Sequence, residues 1–161
     1  MLSQGTGYAA TALAFVAAAG GRPVLVREVA DAADIPAPYL SKIIHALSKR
    51  GLVNTQRGIG GGVTLARPAG EITLMDLCEA LADPVLQARC LLGTAECSDD
   101  RACPAHRFWK AQRGRMLEYL QTMTVADVAA FETRRQWKAT ARSAGNGNGD
   151  GSSTTNGHEL S

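Results

Sequence analysis

VREVADAADIPAPYLSKIIHALSKRGLVNTQRGIGGGVTLARP, residues 26 to 68, changes its hydrophobic period once, and that change decides the fold. Over 26–33 the apolar positions Val26, Val29, Ala30 and Ala33 share one helical face. Beyond the breaker DIPAP, Leu40, Ile43, Ile44 and Leu47 recur at i, i+3, i+4 and i+7, which predicts a second amphipathic helix over 38–49. Gly51 stands where a helix-ending glycine belongs. The period then becomes two. LVNTQR (52–57) and VTLARP (63–68) read as strands enclosing GIGGG, a hairpin with a flexible tip.

Two short helices about a tight turn, followed by a hairpin, make a winged helix-turn-helix. In that arrangement the second helix enters a DNA major groove. With the apolar four turned inward, Pro38, Tyr39, Ser41, Lys42 and His45 are left to face outward. Ser41 suits a base or phosphate, Lys42 a phosphate or guanine, and Tyr39 a phosphate or thymine methyl. A solvated helix face is the plain alternative for each residue taken alone. At the hairpin, glycines 58, 60, 61 and 62 free the backbone for positive φ and close approach. Beside Arg57, the tip Gly58-Ile59-Gly60 suits a phosphate or minor-groove contact. A dinucleotide fingerprint is excluded, because Val63 occupies its last glycine position and a strand follows; a phosphate loop lacks its Gly-Lys-Ser/Thr.

The remaining chain is mostly helical. A first helix is expected over 6–19, stopping at Gly20-Gly21. Its apolar run YAATALAFVAAAG has no preceding Lys or Arg, so it reads as a helix of a cytoplasmic protein and not as a secretory signal. It is also too short to cross a bilayer. Thr73 and Asp76 form a capping box for a helix whose stripe is Leu74, Leu77, Cys78 and Leu81, which makes Cys78 a core residue. A long helix is expected over 104–122 and a short one over 125–138. The tail has almost no apolar residues beyond 141 and is expected to be disordered. The expected organisation is thus a DNA-binding domain over 1–82, a cysteine loop over 83–106, a dimerisation helix with a C-terminal helix over 104–138, and a tail over 139–161. Charge agrees with the first of these: residues 1–70 carry seven Lys/Arg against three acids, while the whole chain is only +2.

Between the two parts lies CLLGTAECSDDRACPAH (90–106), with three of the four cysteines in the pattern C-x6-C-x5-C-x2-H. Clustered thiols in a reducing compartment serve more often as metal ligands or redox groups than as disulfides. Both inter-cysteine gaps exceed the tight C-x2–4-C knuckle of structural zinc sites. Iron–sulfur clusters are larger and take soft thiolates from looser loops. Cys90, Cys97 and Cys103 leave one place for a different ligand, for which His106 leads; Glu96, Asp99 and Asp100 are lesser candidates, otherwise solvated charges. Zinc, and free thiols sensing redox state without metal, remain alternatives. No nucleophile partner for His45 or His106 and no carboxylate pair stands out, so the chain does not read as an enzyme.

YAATAL, VREVADAADIPAPYLSKIIHALSKRGLV, RGIGGGVTLARP, ITLMDL and the cysteine loop, in this order, resemble the Rrf-type winged-helix transcriptional regulators over about residues 1–130. The resemblance implies a homodimer joined through the long helix, bound to palindromic double-stranded promoter DNA and carrying a [2Fe-2S] or [4Fe-4S] cluster. IscR-like members place a histidine after the last cysteine, as CPAHRFW does. NsrR-like members use an aspartate near the N-terminus of the partner, where GTGYAA here offers only Gly7 or Tyr8. The first cysteine gap is one residue longer than the IscR-like pattern. The expectation is a cluster-dependent repressor sensing redox, iron or nitric oxide status. A thiol- or zinc-dependent regulator, and a cluster carrier on a winged-helix scaffold, are the other readings.

Overall fold

The computed structural model describes residues 1–93, 95–101 and 103–134. The expected tail over 139–161, and the last residues of the helix expected over 125–138, lie outside them. Helix α1 (Gln4–Ala18) begins two residues earlier than the apolar run suggests, because the Ser3 side chain caps it by accepting from the Thr6 amide at 3.3 Å. Its run of small residues is a packing surface: Ala9, Ala12, Leu13, Ala14 and Val16 are all buried. Helix α2 (Val26–Ala33) ends at Asp34 in the left-handed region, φ 54°, which turns the chain sharply into α3 (Ala37–Lys49).

Along α3 the four residues with helical spacing, Leu40, Ile43, Ile44 and Leu47, are those that are buried. Gly51, at φ 68°, closes the helix, and the Leu52 amide bonds back to the Leu47 carbonyl. Strands β1 (Val53–Gln56) and β2 (Gly62–Leu65) pair antiparallel with Val53 opposite Leu65 and Gln56 opposite Gly62. Val24, just before α2, adds a bridge to Val63 on the other edge of β2, so the wing is tied to the helical body.

Helix α4 (Leu74–Ala80) carries the expected Thr73–Asp76 capping box and buries Leu74, Leu77 and Cys78. Helix α5 (His106–Thr122) starts at His106 and not at 104. A final helix, α6 (125–134), is tied back by the Val125 amide to the Ile72 carbonyl and by the Leu74 amide to the Met123 carbonyl. One apolar core joins α1, α2, α3, the hairpin and α4; among the described residues, the last two helices contribute Leu120 and Val125 as its buried members. The fold is therefore mainly helical with a small hairpin wing. The far side of α5 stays open, with Phe108 60% and Tyr119 54% exposed.

Candidate metal centre and nucleic-acid interface

On the face expected to meet DNA, Pro38, Tyr39, Ser41, Lys42 and His45 all lie exposed on α3. Two of them also have internal partners. The Ser41 hydroxyl donates to the Ala37 carbonyl at 2.9 Å, leaving its oxygen as an acceptor. The Tyr39 ring meets Tyr8 edge-on with centroids 5.8 Å apart, which ties the recognition helix to α1. At the wing, Arg57, Gly58, Ile59 and Gly60 are exposed, and Gly58 and Gly60 take φ 89° and 76°. Gly61 is needed for a different reason: a Cβ there would collide with the Gln56 carbonyl oxygen. The need expected of all four glycines is therefore conformational at Gly58 and Gly60, spatial at Gly61, and both at Gly62, where a Cβ would also meet the Val24 backbone.

The cysteine loop is anchored at both ends. Asp83, 2% exposed, accepts from the Ser3 amide, the Thr6 hydroxyl and the Val85 amide, which pins the start of the loop to α1. Burial alone would raise its carboxyl, but these hydrogen bonds outweigh burial and hold it below the ordinary carboxylate range. From α5, Trp109 Nε1 donates to the Arg89 carbonyl at 2.8 Å and the Arg113 guanidinium to the Leu86 carbonyl at 2.6 Å. Between these anchors the chain turns back on itself: the Cys90 amide bonds to the Ala95 carbonyl and the Cys97 amide to the Ala88 carbonyl. The His106 amide then closes onto the Cys103 carbonyl at 3.0 Å.

These turns gather Cys90, Cys97, Cys103 and His106 around one cavity of about 370 Å³, with Leu92 and Glu96 in its lining. Cys97 Sγ lies 3.3 Å from His106 Nδ1, and His106 Nε2 lies 2.7 Å from Asp99 Oδ1. Lys110 Nζ binds both Asp99 oxygens at 2.9 and 3.0 Å. Lys110 first, and His106 after it, keep the Asp99 carboxyl below its ordinary value. Among the described residues, no three His, Cys, Asp or Glu side chains are gathered closely enough to hold a single metal ion. The donor set is nonetheless soft and mixed, three thiols and one imidazole on a shared space, which is the chemistry an iron–sulfur cluster takes.

The sequence profile of the Rrf2 family, described as iron-dependent transcriptional regulators, matches residues 2–130. The chain belongs to the Rrf2 family. Two relatives and one solved structure show its place among Rrf2 regulators. A candidate HTH-type transcriptional regulator of Aquifex aeolicus (strain VF5) is 35% identical over 129 residues, covering 79% of this chain and 90% of that protein. The regulator IscR of Citrobacter koseri is 30% identical over 122 residues, covering 75% and 74%. The structure of CymR (YrzC), the global cysteine regulator of B. subtilis, is similar with TM-score 0.68 and 25% identity, covering 81% of this chain and 97% of that one. As an Rrf2 protein, the chain is a DNA-binding transcriptional regulator, and the Aquifex and Citrobacter relatives are both named as transcriptional regulators. Among the described residues no helix is long and apolar enough to cross a membrane.

Three parts of this Rrf2 site were not read from the sequence. His106 has a thiol partner, Cys97, where the sequence offered none. Asp99, by its type and spacing a lesser ligand candidate or a solvated charge, bridges His106 and Lys110. Asp83 was not singled out at all, although an Asp before a proline is a familiar helix-start signal.

Proposed function

We propose that this Rrf2 protein is a transcriptional repressor whose hold on promoter DNA depends on an iron–sulfur cluster bound by Cys90, Cys97, Cys103 and His106. The observation that carries the reading is the convergence of these four donors on one cavity formed by the cysteine loop and the start of α5. Donors spread around a cavity suit a polynuclear cluster better than zinc, whose ligands sit about 2.0–2.3 Å from one point. The similarity to IscR and the family's iron-dependent description support the same choice. Bound there, a cluster would supply a centre that responds to iron supply, oxidants or nitric oxide.

The chain's own residues carry the remaining steps. Cys90 and Cys97 are presented by the turned-back segment, and Cys103 and His106 by the turn that opens α5. Asp83 connects the start of the loop to α1, and α1 meets the recognition helix through Tyr8 and Tyr39. On DNA, Lys42 and Arg57 neutralise phosphates, Pro38, Tyr39, Ser41 and His45 face the major groove, and Gly58-Ile59-Gly60 approaches the minor groove. Two copies joined along α5, whose far side is open, would place two recognition helices on a palindromic operator. A ligand can drive such a switch only through a difference in affinity between its states.

A second reading, a thiol-based regulator without a cluster, is favoured by the Cys97–His106 contact of 3.3 Å and by the likeness to CymR. Anaerobic purification with iron and sulfide assays, followed by promoter binding before and after cluster removal, separates the two. A protein that stays colourless on reconstitution, with DNA affinity that follows thiol oxidation alone, would establish the second and overturn the first.

A further inference from the structure

Asp99 has no place in the proposed ligand set, yet it touches the residue that completes that set. His106 is the first residue of α5, and its side chain, 14% exposed, sits between two partners. Nδ1 faces Cys97 Sγ at 3.3 Å; Nε2 faces Asp99 Oδ1 at 2.7 Å. An ionised carboxylate only accepts hydrogen bonds, so the hydrogen in the second contact belongs to Nε2. A neutral imidazole has a single N–H. With it directed to Asp99, Nδ1 keeps its lone pair and turns it toward Cys97, which lines the cavity. Lys110, four residues along the same helix, holds both Asp99 oxygens and so fixes the direction of the carboxylate.

We infer that Asp99 is the positioning residue for His106, setting the ring's tautomer and direction so that Nδ1 and not Nε2 is the nitrogen offered to the metal centre, with Lys110 anchoring the carboxylate. The inference rests on the cluster-binding reading given above. Histidine ligands are commonly held by a hydrogen bond from the second ring nitrogen, and loss of that partner typically costs about 10–100-fold in metal affinity. Asp99 is 72% exposed, so its effect comes from direction and not from burial. The Asp99–Lys110 pair by itself, being exposed, contributes little to folding stability.

Full-length protein labelled with ¹⁵N-histidine provides the test, first free of cluster and then after anaerobic reconstitution. Without cluster, long-range ¹H–¹⁵N spectra should show His106 protonated at Nε2 and bare at Nδ1. Asp99→Ala should shift the ring to a mixture of tautomers, and Asp99→Glu, which restores a carboxylate, should recover the Nε2–H form. After reconstitution, Asp99→Ala should still bind iron and sulfide but release them to a chelator about 10-fold faster or more. It should also show a changed magnetic coupling to the His106 nitrogen. If His106→Ala hastens release while Asp99→Ala leaves both tautomer and release rate at wild-type values, the positioning role is overturned and the ligand reading survives. If the wild type takes up no iron and sulfide, the ligand reading falls and this inference falls with it.

Discussion

The hydroxyl of Thr6 donates to the buried carboxylate of Asp83 at 2.5 Å, across 77 positions of sequence. Through that bond the N-terminus of α1 and the start of the cysteine loop become one unit. Since α1 also packs Tyr8 against Tyr39 of α3, a continuous series of contacts leads from the loop to the DNA-reading helix.

Removing the carboxylate leaves the buried Thr6 hydroxyl and the part-buried Ser3 and Val85 amides without this acceptor. Asp83→Ala should therefore lower unfolding stability by about 3 kcal/mol, measured by urea denaturation at neutral pH. A loss under about 0.5 kcal/mol, the range of ordinary surface changes, would mean that the clamp contributes nothing.

The same clamp has a pH signature. The Asp83 carboxyl is held below its ordinary value, with hydrogen bonds outweighing burial. Its stabilisation is then complete above the unfolded-state value of about 4 and is lost as pH falls through the lower folded-state value. The stability gap between wild type and Asp83→Asn should be full at neutral pH and should narrow as pH falls below that unfolded-state value. A gap of constant size across that window would rule the linkage out.

The four thiols should divide three to one in reactivity. Burial first, then the nearby Asp83 and Glu79 charges, pushes the Cys78 thiol up to about 11, so it remains protonated and enclosed. Cys90, Cys97 and Cys103 are only partly covered. In cluster-free protein an aromatic disulfide reagent should titrate three thiols promptly and the fourth only on unfolding. Prompt reaction of all four would place Cys78 outside the core.

At the wing, a Cβ on Gly62 would lie 2.8–2.9 Å from the Val24 backbone, and φ there is 151°. Gly62→Ala should cost about 1–3 kcal/mol and loosen the bridge between Val24 and Val63. Gly70→Ala, with open space at its Cβ, should stay within about 0.5 kcal/mol. Thermal unfolding of the two variants side by side decides the point, and equal midpoints would refute it.

Lys42 and Arg57 are exposed on the two elements proposed to meet DNA. If each neutralises one phosphate, Lys42→Ala and Arg57→Ala should each reduce the slope of log affinity against log salt by about 0.9. Anisotropy titrations of operator and unrelated duplexes should show similar losses on both, because phosphates carry no sequence. Unchanged slopes in both variants would move the interface elsewhere.

The helix-turn-helix and its wing were legible in the sequence because their information is local. The i, i+3, i+4, i+7 spacing of Leu40, Ile43, Ile44 and Leu47, the glycine at 51 and the change of period after it each act within a few residues. The Thr73–Asp76 cap and the burial of Cys78 belong to the same class. The cysteine pattern was local too: Cys90, Cys97, Cys103 and His106, close in sequence, line one cavity.

Which atoms those donors present was a tertiary matter. No local rule pairs Thr6 with Asp83, or sets Cys97 on one nitrogen of His106 and Asp99 on the other. These contacts depend on how α5 docks against the loop through Trp109 and Arg113, and a side chain's partner across such a junction has no periodic trace in the chain. The sequence alone determined the repertoire of helices, hairpin and clustered thiols, because propensity and spacing operate at short range. Only the packed structure decided the hydrogen-bond partners, because these follow from the directions in which separate elements meet.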